Sequence, residues 1–351
     1  MPFWTTGTIT RTFGTPKYRV CTSSLTSAEP GRRSQLGAPY WYNWEYGYAN
    51  SYSPETYARM VWSVADTQDV GTWEVGLSTA ASLAAYDYAT GIKRDWFVMN
   101  EPAAQWGEAG SSLINGLATG YDPVDQSAGY YRGQPAAAAA RYSTLYQTIK
   151  AEDPYAKIYV GGCLGLGIDR TKVWWKAFVA ASNLDEIQNQ HVHLYPCYTV
   201  GCTGTKNANP NLWTTAQWGV QSSTNAADNW YTECHKNLGL TGEIIITETG
   251  AHAFRTELKA YVQNTTYVPR YSVISPYLAP MMAIWTLVRD NVMIPIKSWF
   301  DGQSNYKKIY WYKAYDTTNW PNSLIYNEDQ MSWYQPMYTY APTPLGTEWC
   351  L

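Results

Sequence analysis

One repeating pattern restricts the fold more than anything else: a short apolar or aromatic run followed by a stretch of helical character, met eight times along the chain. The candidate strands are Tyr18–Thr22, Pro39–Trp44, Arg59–Val64, Trp96–Asn100, Lys157–Gly161, His191–Tyr195, Ile244–Glu248 and Ile296–Phe300. Several are unbroken β-branched or aromatic runs, as expected of strands covered on both faces of a parallel sheet. Between them, Pro135 opens an alanine-rich segment, Ala136 to Lys150, with proline at its first turn. Leu77 to Tyr88, Thr171 to Ala181 and Thr256 to Val262 also read as helices. This alternation predicts an α/β protein, a single (β/α)8 TIM barrel over residues 1–351 with long βα loops. The spacing between the first three strands is short for full helices. A doubly wound open sheet is the other candidate, but no glycine-rich phosphate loop follows any strand. There is no internal repeat, and no linker rich in Pro, Gly or Ser.

The 351 residues are 45% hydrophobic and 15% charged with a net charge of -3, enough apolar material for a large core. That balance, without Lys/Arg runs, argues against a nucleic-acid partner. No uninterrupted apolar run reaches the ~18 residues of a membrane span. The aromatic load is unusual, with 18 Trp and 31 Tyr against 6 Phe. Phenylalanine would fill a core as well without demanding a hydrogen bond. Trp and Tyr pair a flat apolar face with a polar edge, matching the C–H faces and hydroxyl rims of sugars, so a carbohydrate partner competes with a merely Trp-rich core.

Two carboxylates stand at the ends of apolar strands: Glu101 in Asp95-Trp96-Phe97-Val98-Met99-Asn100-Glu101-Pro102, and Glu248 in Glu243-Ile244-Ile245-Ile246-Thr247-Glu248-Thr249-Gly250. The C-terminal strand ends of a barrel carry its active site, and partial burial there tunes a carboxyl group. Period two gives Glu248 the parity of Ile244 and Ile246, so the three are expected on one face, the barrel interior. Retaining glycoside hydrolysis needs such a pair: an acid that protonates the leaving oxygen, and a nucleophile that attacks the anomeric carbon.

Asn100-Glu101-Pro102 after strand four and Thr247-Glu248-Thr249-Gly250 on strand seven resemble the signature of clan A glycoside hydrolases, retaining enzymes on (β/α)8 barrels. The resemblance covers roughly residues 36–302, leaving 303–351 as a C-terminal extension packed on the barrel. Trp41-Tyr42-Asn43-Trp44, Pro54 to Ser63 and Ile149 to Pro154 are similar to members related to families 39 and 128. The resemblance implies Glu101 as general acid/base, Glu248 as nucleophile, Asn100 as partner of the sugar 2-hydroxyl, Tyr195 as donor to the nucleophile, His193 beside them, and Trp299 on strand eight as a stacking floor. His191 shares a face with His193 and Tyr195 by alternation and reads as structural. Two core histidines and a buried tyrosine are the bland alternative.

Trp41 and Trp44 are candidates for more distant sugar contacts. Residues 103–134, with Trp106, Tyr121, Tyr130 and Tyr131, exceed an ordinary βα loop and are expected to wall the cleft. Arg59 reads as a surface arginine; orienting a carboxylate is the other reading. No cofactor and no metal are expected, since no Cys/His cluster has zinc spacing. Of the six cysteines, Cys197–Cys202 and Cys21–Cys350 are conceivable disulfides among fifteen pairings. The even cysteine count and the sequon Asn264-Thr265-Thr266 point outside the cell, although Met1-Pro2-Phe3-Trp4 does not read as a signal peptide. The expected function is a retaining, endo-acting β-glycanase such as a β-glucanase. An exo-acting β-glycosidase and a catalytically inactive carbohydrate-binding barrel are the alternatives. Sugar identity, linkage and oligomeric state are not legible.

Overall fold

Eight segments pair into one all-parallel sheet: β1 Tyr18–Cys21, β2 Trp41–Tyr42, β3 Arg59–Val61, β4 Asp95–Val98, β5 Lys157–Cys163, β6 Gln190–Leu194, β7 Ile244–Thr249 and β8 Tyr306–Tyr312. They belong to a computed structural model that describes residues 17–21, 41–42, 57–61, 63–64, 74–102, 135–197, 206–251 and 278–312, with shorter pieces within 254–261 and 325–349. Their order across the sheet is β2-β1-β8-β7-β6-β5-β4-β3, which is chain order read around a ring. The described ladders stop at β2 and β3. Flat, eight strands ~4.8 Å apart would hold these edges roughly 34 Å from one another. Yet Tyr42 of β2 and Met60 of β3 share one buried cluster with Cys21, Phe97, Tyr159, Ile245 and Tyr310. The Tyr42 ring lies 5.3 Å from that of Phe97 and 5.2 Å from that of Tyr310. The sheet is therefore curled, with both edges facing a common interior.

Alternation assigns each side chain to a layer. Trp96, Val98, Ile158, Val160, Ile244, Ile246, Ile309 and Trp311 point outward into the larger core, where helices cover them. Those helices include α1 Leu77–Ala89, α2 Pro135–Glu152, α3 Asp169–Ala181 and α4 Val220–Cys234. Alternate residues Phe97, Tyr159, Ile245 and Tyr310 point inward. Among the described residues, no helix is long and apolar enough to cross a membrane.

Four expectations are corrected here. Ile296–Phe300 is not a strand: it lies in helix Ile294–Asp301, which buries Ile296, Lys297 and Phe300. That spacing is helical, not alternating, and the helix follows without a break from a π-helical turn, Arg289–Met293, just before Pro295. The eighth strand is β8, inside the segment expected to be a mere extension. Arg59 is not on the surface: it is fully buried, and its Nε and Nη2 each donate to Asp87 at 2.9 Å. Arg94 Nε donates to the same carboxylate at 2.7 Å, so Asp87 of α1 joins two guanidinium groups. Cys21 is a buried thiol, which removes the proposed tie to Cys350. Cys163 and Cys234 are also buried thiols, while Cys197 is disulfide-bonded to a partner outside the described residues.

Candidate active site

The C-terminal ends of β4, β6 and β7 bring Glu101, His193, Tyr195 and Glu248 together. Glu101, His193 and Glu248 each offer one donor atom, all within 4.8 Å of one another, and each residue is at most 5% exposed. His193 Nδ1 lies 2.9 Å from Glu101 Oε1 and 3.5 Å from Glu248 Oε2. The Tyr195 hydroxyl donates to Glu248 Oε2 at 2.7 Å. The same two carboxylates and imidazole are the atoms that could hold a metal ion, though the hydrogen-bond distances already account for their grouping.

Glu248 reaches the interior by a route that simple alternation misses. Ile244 and Ile246 face the helices, so strict parity would have sent Glu248 outward. On the β6 side Ile246 pairs with Val192 and Glu248 with His193; on the β8 side Ile246 pairs with Ile309 and Thr249 with Trp311. Both neighbours thus record one extra residue in β7, a β-bulge, which re-aims Glu248 to the inside. The expected face was right, but Ile244 and Ile246 do not share it.

A second bulge supports Glu101. Gly161 pairs with His191 and Cys163 with Val192, leaving Gly162 as the extra residue of β5, at φ +57°. A Cβ on Gly162 would stand 2.9 Å from Met99 O and 3.1 Å from Asn100 Cα, so only glycine fits beneath the turn. Gly162 O accepts from the Glu101 backbone N–H at 3.0 Å, and Val61 O accepts from that of Met99 at 2.8 Å. Met99 and Glu101 are themselves left-handed, at φ 72° and 48°. Such strain, ~1–3 kcal/mol per residue, concentrates at functional sites.

The titrating groups differ in kind. Burial lowers the affinity of His193 for a proton, but the Glu248 charge and the Glu101 hydrogen bond outweigh it and raise its pKa. His191 is driven down to about 3, by burial first and then by the neighbouring His193. Burial, followed by the Glu248 charge, pushes the Tyr195 hydroxyl well above its usual range, so it remains a donor.

The structure gathers Glu101, His193, Tyr195 and Glu248, with Asn100 buried one residue before Glu101, but not Trp299. That indole sits on helix Ile294–Asp301, donates to Asp228 and packs at 5.3 Å on Tyr306, the first residue of β8. It therefore marks the opposite end of the strands. At the C-terminal end of β8 stands Tyr312 instead, its ring edge-on to Tyr195 at 5.7 Å. Trp41 lies on β2, but its side chain is outside the described residues, as are Trp44 and 103–134. Tyr42, between the two tryptophans, is a site residue that the sequence does not single out. Its hydroxyl is 2.8 Å from Thr247 O and 3.4 Å from Glu248 Oε1, making it a second phenol beside Glu248. Alternation from Trp41 offers the only signal for it. Asn100 Oδ1 and His193 Nε2 are buried acceptor or donor atoms without a hydrogen-bond partner among the described residues.

No protein-family model and no curated protein matches the sequence. The fold does have relatives among solved structures. One is a family 128 (GH128, subgroup II) endo-β-1,3-glucanase from Sorangium cellulosum, with a TM-score of 0.54 at 13% identity over 95% of this chain and 97% of the other. A subgroup I enzyme from Amycolatopsis mediterranei, in complex with laminarihexaose, gives 0.50 at 14% identity over 95% and 98%. A GH86 protein in complex with neoagarooctaose gives 0.51 at 10% identity, covering 96% of this chain and 59% of the other. The neighbours are glycoside hydrolases, in keeping with the clan A resemblance of the two carboxylate motifs.

Proposed function

We propose that the chain is a retaining, endo-acting β-glucanase on a single closed (β/α)8 barrel, with β-1,3-linked glucan as its substrate and Glu101 and Glu248 as its catalytic pair. The observation that carries this is that one oxygen of each carboxylate lies within 4.8 Å of one oxygen of the other at the strand ends, with His193 between them. Double displacement uses carboxyl groups ~5–5.5 Å apart, whereas direct attack by water needs ~6.5–9.5 Å. The linkage follows the family 128 neighbours, which are endo-β-1,3-glucanases.

Glu101 protonates the glycosidic oxygen while Glu248 attacks the anomeric carbon, giving a glycosyl-enzyme ester and a free leaving sugar. Glu101, now a carboxylate, then takes a proton from water as the water's oxygen displaces Glu248. Tyr195 holds Glu248 Oε2 and His193 holds Glu101 Oε1, so each carboxylate is fixed in orientation. The open acceptor of Asn100 is assigned to the sugar 2-hydroxyl, a contact that tightens in the transition state. Tyr312, Trp41 and Trp44 are assigned to flanking sugars. A polymeric substrate and the Cys197 disulfide favour action outside the cell.

The test is hydrolysis of laminarin beside β-1,4-glucan, xylan, mannan and galactan, with product lengths followed in time. Internal cleavage of laminarin to oligosaccharides is expected. Release of glucose alone would make the enzyme exo-acting. Binding without turnover by the wild-type chain would contradict catalysis.

A further inference from the structure

His191 takes no part in the chemistry proposed above, yet it is fully buried between the two strands that carry it. Its Nε2 lies 3.0 Å from Val98 O, three residues before Glu101. Its Nδ1 lies 3.0 Å from Thr247 Oγ1, one residue before Glu248. We infer that His191 is a positioning residue that sets the separation of the two carboxylates by hydrogen-bonding one catalytic strand with each ring nitrogen. This rests on the assignment of Glu101 and Glu248 as the reacting pair.

The chemistry of the partners fixes the tautomer. A carbonyl only accepts, so Nε2 carries the hydrogen and donates it to Val98. Nδ1 is then an acceptor, and the Thr247 hydroxyl donates to it. The alternative acceptor for that hydroxyl, Val192 O, is farther away at 3.4 Å. Protonating the ring would put a hydrogen on Nδ1 and turn the Thr247 hydroxyl away from it. Burial beside His193 opposes this, holding the pKa to about 3.

The ring has little freedom to shift. Phe97 packs on it at 5.6 Å, and its Cε1 lies 3.0 Å from where a Cβ on Gly162 would stand. The Gly162 bulge therefore leaves just the room that the imidazole needs beside the Glu101 turn. A brace of this kind acts through geometry: a misplacement of ~1 Å at reacting groups costs about 100-fold in rate.

Thr247→Val keeps the shape of the side chain and removes the donor, Thr247→Ser keeps the donor, and His191→Phe keeps a ring and removes both bonds. With a β-1,3-glucan oligosaccharide as substrate, Thr247→Val is expected to lower kcat about 10- to 100-fold with KM within about two-fold, while Thr247→Ser stays near wild type. Nitrogen-15 NMR of the wild-type chain should find His191 as the neutral Nε2–H tautomer from about pH 5 to pH 8, where ordinary histidines titrate. Unchanged kcat in Thr247→Val at a temperature where it is folded, or a ring protonated on Nδ1, would overturn the inference. If His191→Phe fails to fold, Thr247→Val and the NMR measurement still decide. A wild-type chain that hydrolyses no glucan would remove the catalytic assignment itself, and the positioning role with it.

Discussion

The interior of the sheet carries charged groups at both ends of its strands, and the two ends treat them differently. At the N-terminal ends, Arg19 and Lys308 both reach the Asp95 carboxylate, and Lys157 and the Tyr159 hydroxyl both reach Glu243. Each acid there has a cation against it, and half-exposed groups lie at its margin. At the C-terminal ends, two buried acids sit against each other, with phenols and one imidazole as partners. The lower arrangement neutralises charge and joins strands. The upper one brings two acids close to each other, with phenols and an imidazole as their described partners.

If that contrast is functional, substitutions at the two ends must separate activity from stability. Glu248→Ala should reduce turnover roughly ten-thousand-fold without lowering the thermal midpoint, and azide should restore part of the rate by replacing the lost carboxylate. Glu101→Gln should cost about 100- to 10,000-fold on substrates with poor leaving groups, and much less on aryl glycosides that depart without a proton. Asp95→Asn, at the lower end, should instead lower the melting temperature while kcat holds within a few-fold.

Beneath the helices at the N-terminal ends of β3 and β4, Asp87 offers a purely structural control. Asp87→Asn leaves Arg59 and Arg94 buried with their shared anion gone, a change that costs about 3–5 kcal/mol in comparable sites. Denaturant melts would register that loss, with activity per folded molecule preserved.

Tyr195→Phe removes one donor to Glu248 and is expected to cost ~1.5–3 kcal/mol in transition-state stabilisation, about 10- to 100-fold in kcat/KM. Trp299→Ala should leave KM within about two-fold, because the indole sits at the lower end beside Tyr306; a large rise in KM would put it back in the cleft.

The two histidines give the comparison a pH dependence with opposite signs. His191 titrates at about 3 in the fold against an ordinary 6.5, so between those values the unfolded chain takes up a proton that the native ring refuses. Stability should therefore rise with pH across that window, by up to ~1.4 kcal/mol per unit from this group. His193 has a raised pKa, so its contribution is complete below 6.5 and fades as pH climbs through the folded value. Melts of His191→Phe across pH should lose the first slope and keep the second.

Much of this was legible in the chain. Strand-helix alternation located seven of the eight strands, and the two strand-end carboxylates were found from their motifs, because buried parallel strands and their polar ends leave a local signature. What escaped depends on partners distant in sequence. Ile296–Phe300 has apolar residues that suit a strand and a helix alike, and only packing against the α4 side of the sheet decides between them. The bulge in β7 is invisible to period two, which is why Ile244 and Ile246 were expected on the Glu248 face. Arg59 was misjudged because its counterion, Asp87, lies on a helix 28 residues away. Tyr42 carries little local signal, since its partners Thr247 and Glu248 lie about 205 residues away.

The stereochemistry of the first product tests the central pairing most directly. Proton NMR of freshly cleaved β-1,3-glucan oligosaccharide, recorded before mutarotation, distinguishes the anomers at the new reducing end. Acids this close predict that the β anomer appears first and the α form only later. An initial α product would mean that water attacks the anomeric carbon directly with no ester to Glu248, and the account of these two residues would be wrong.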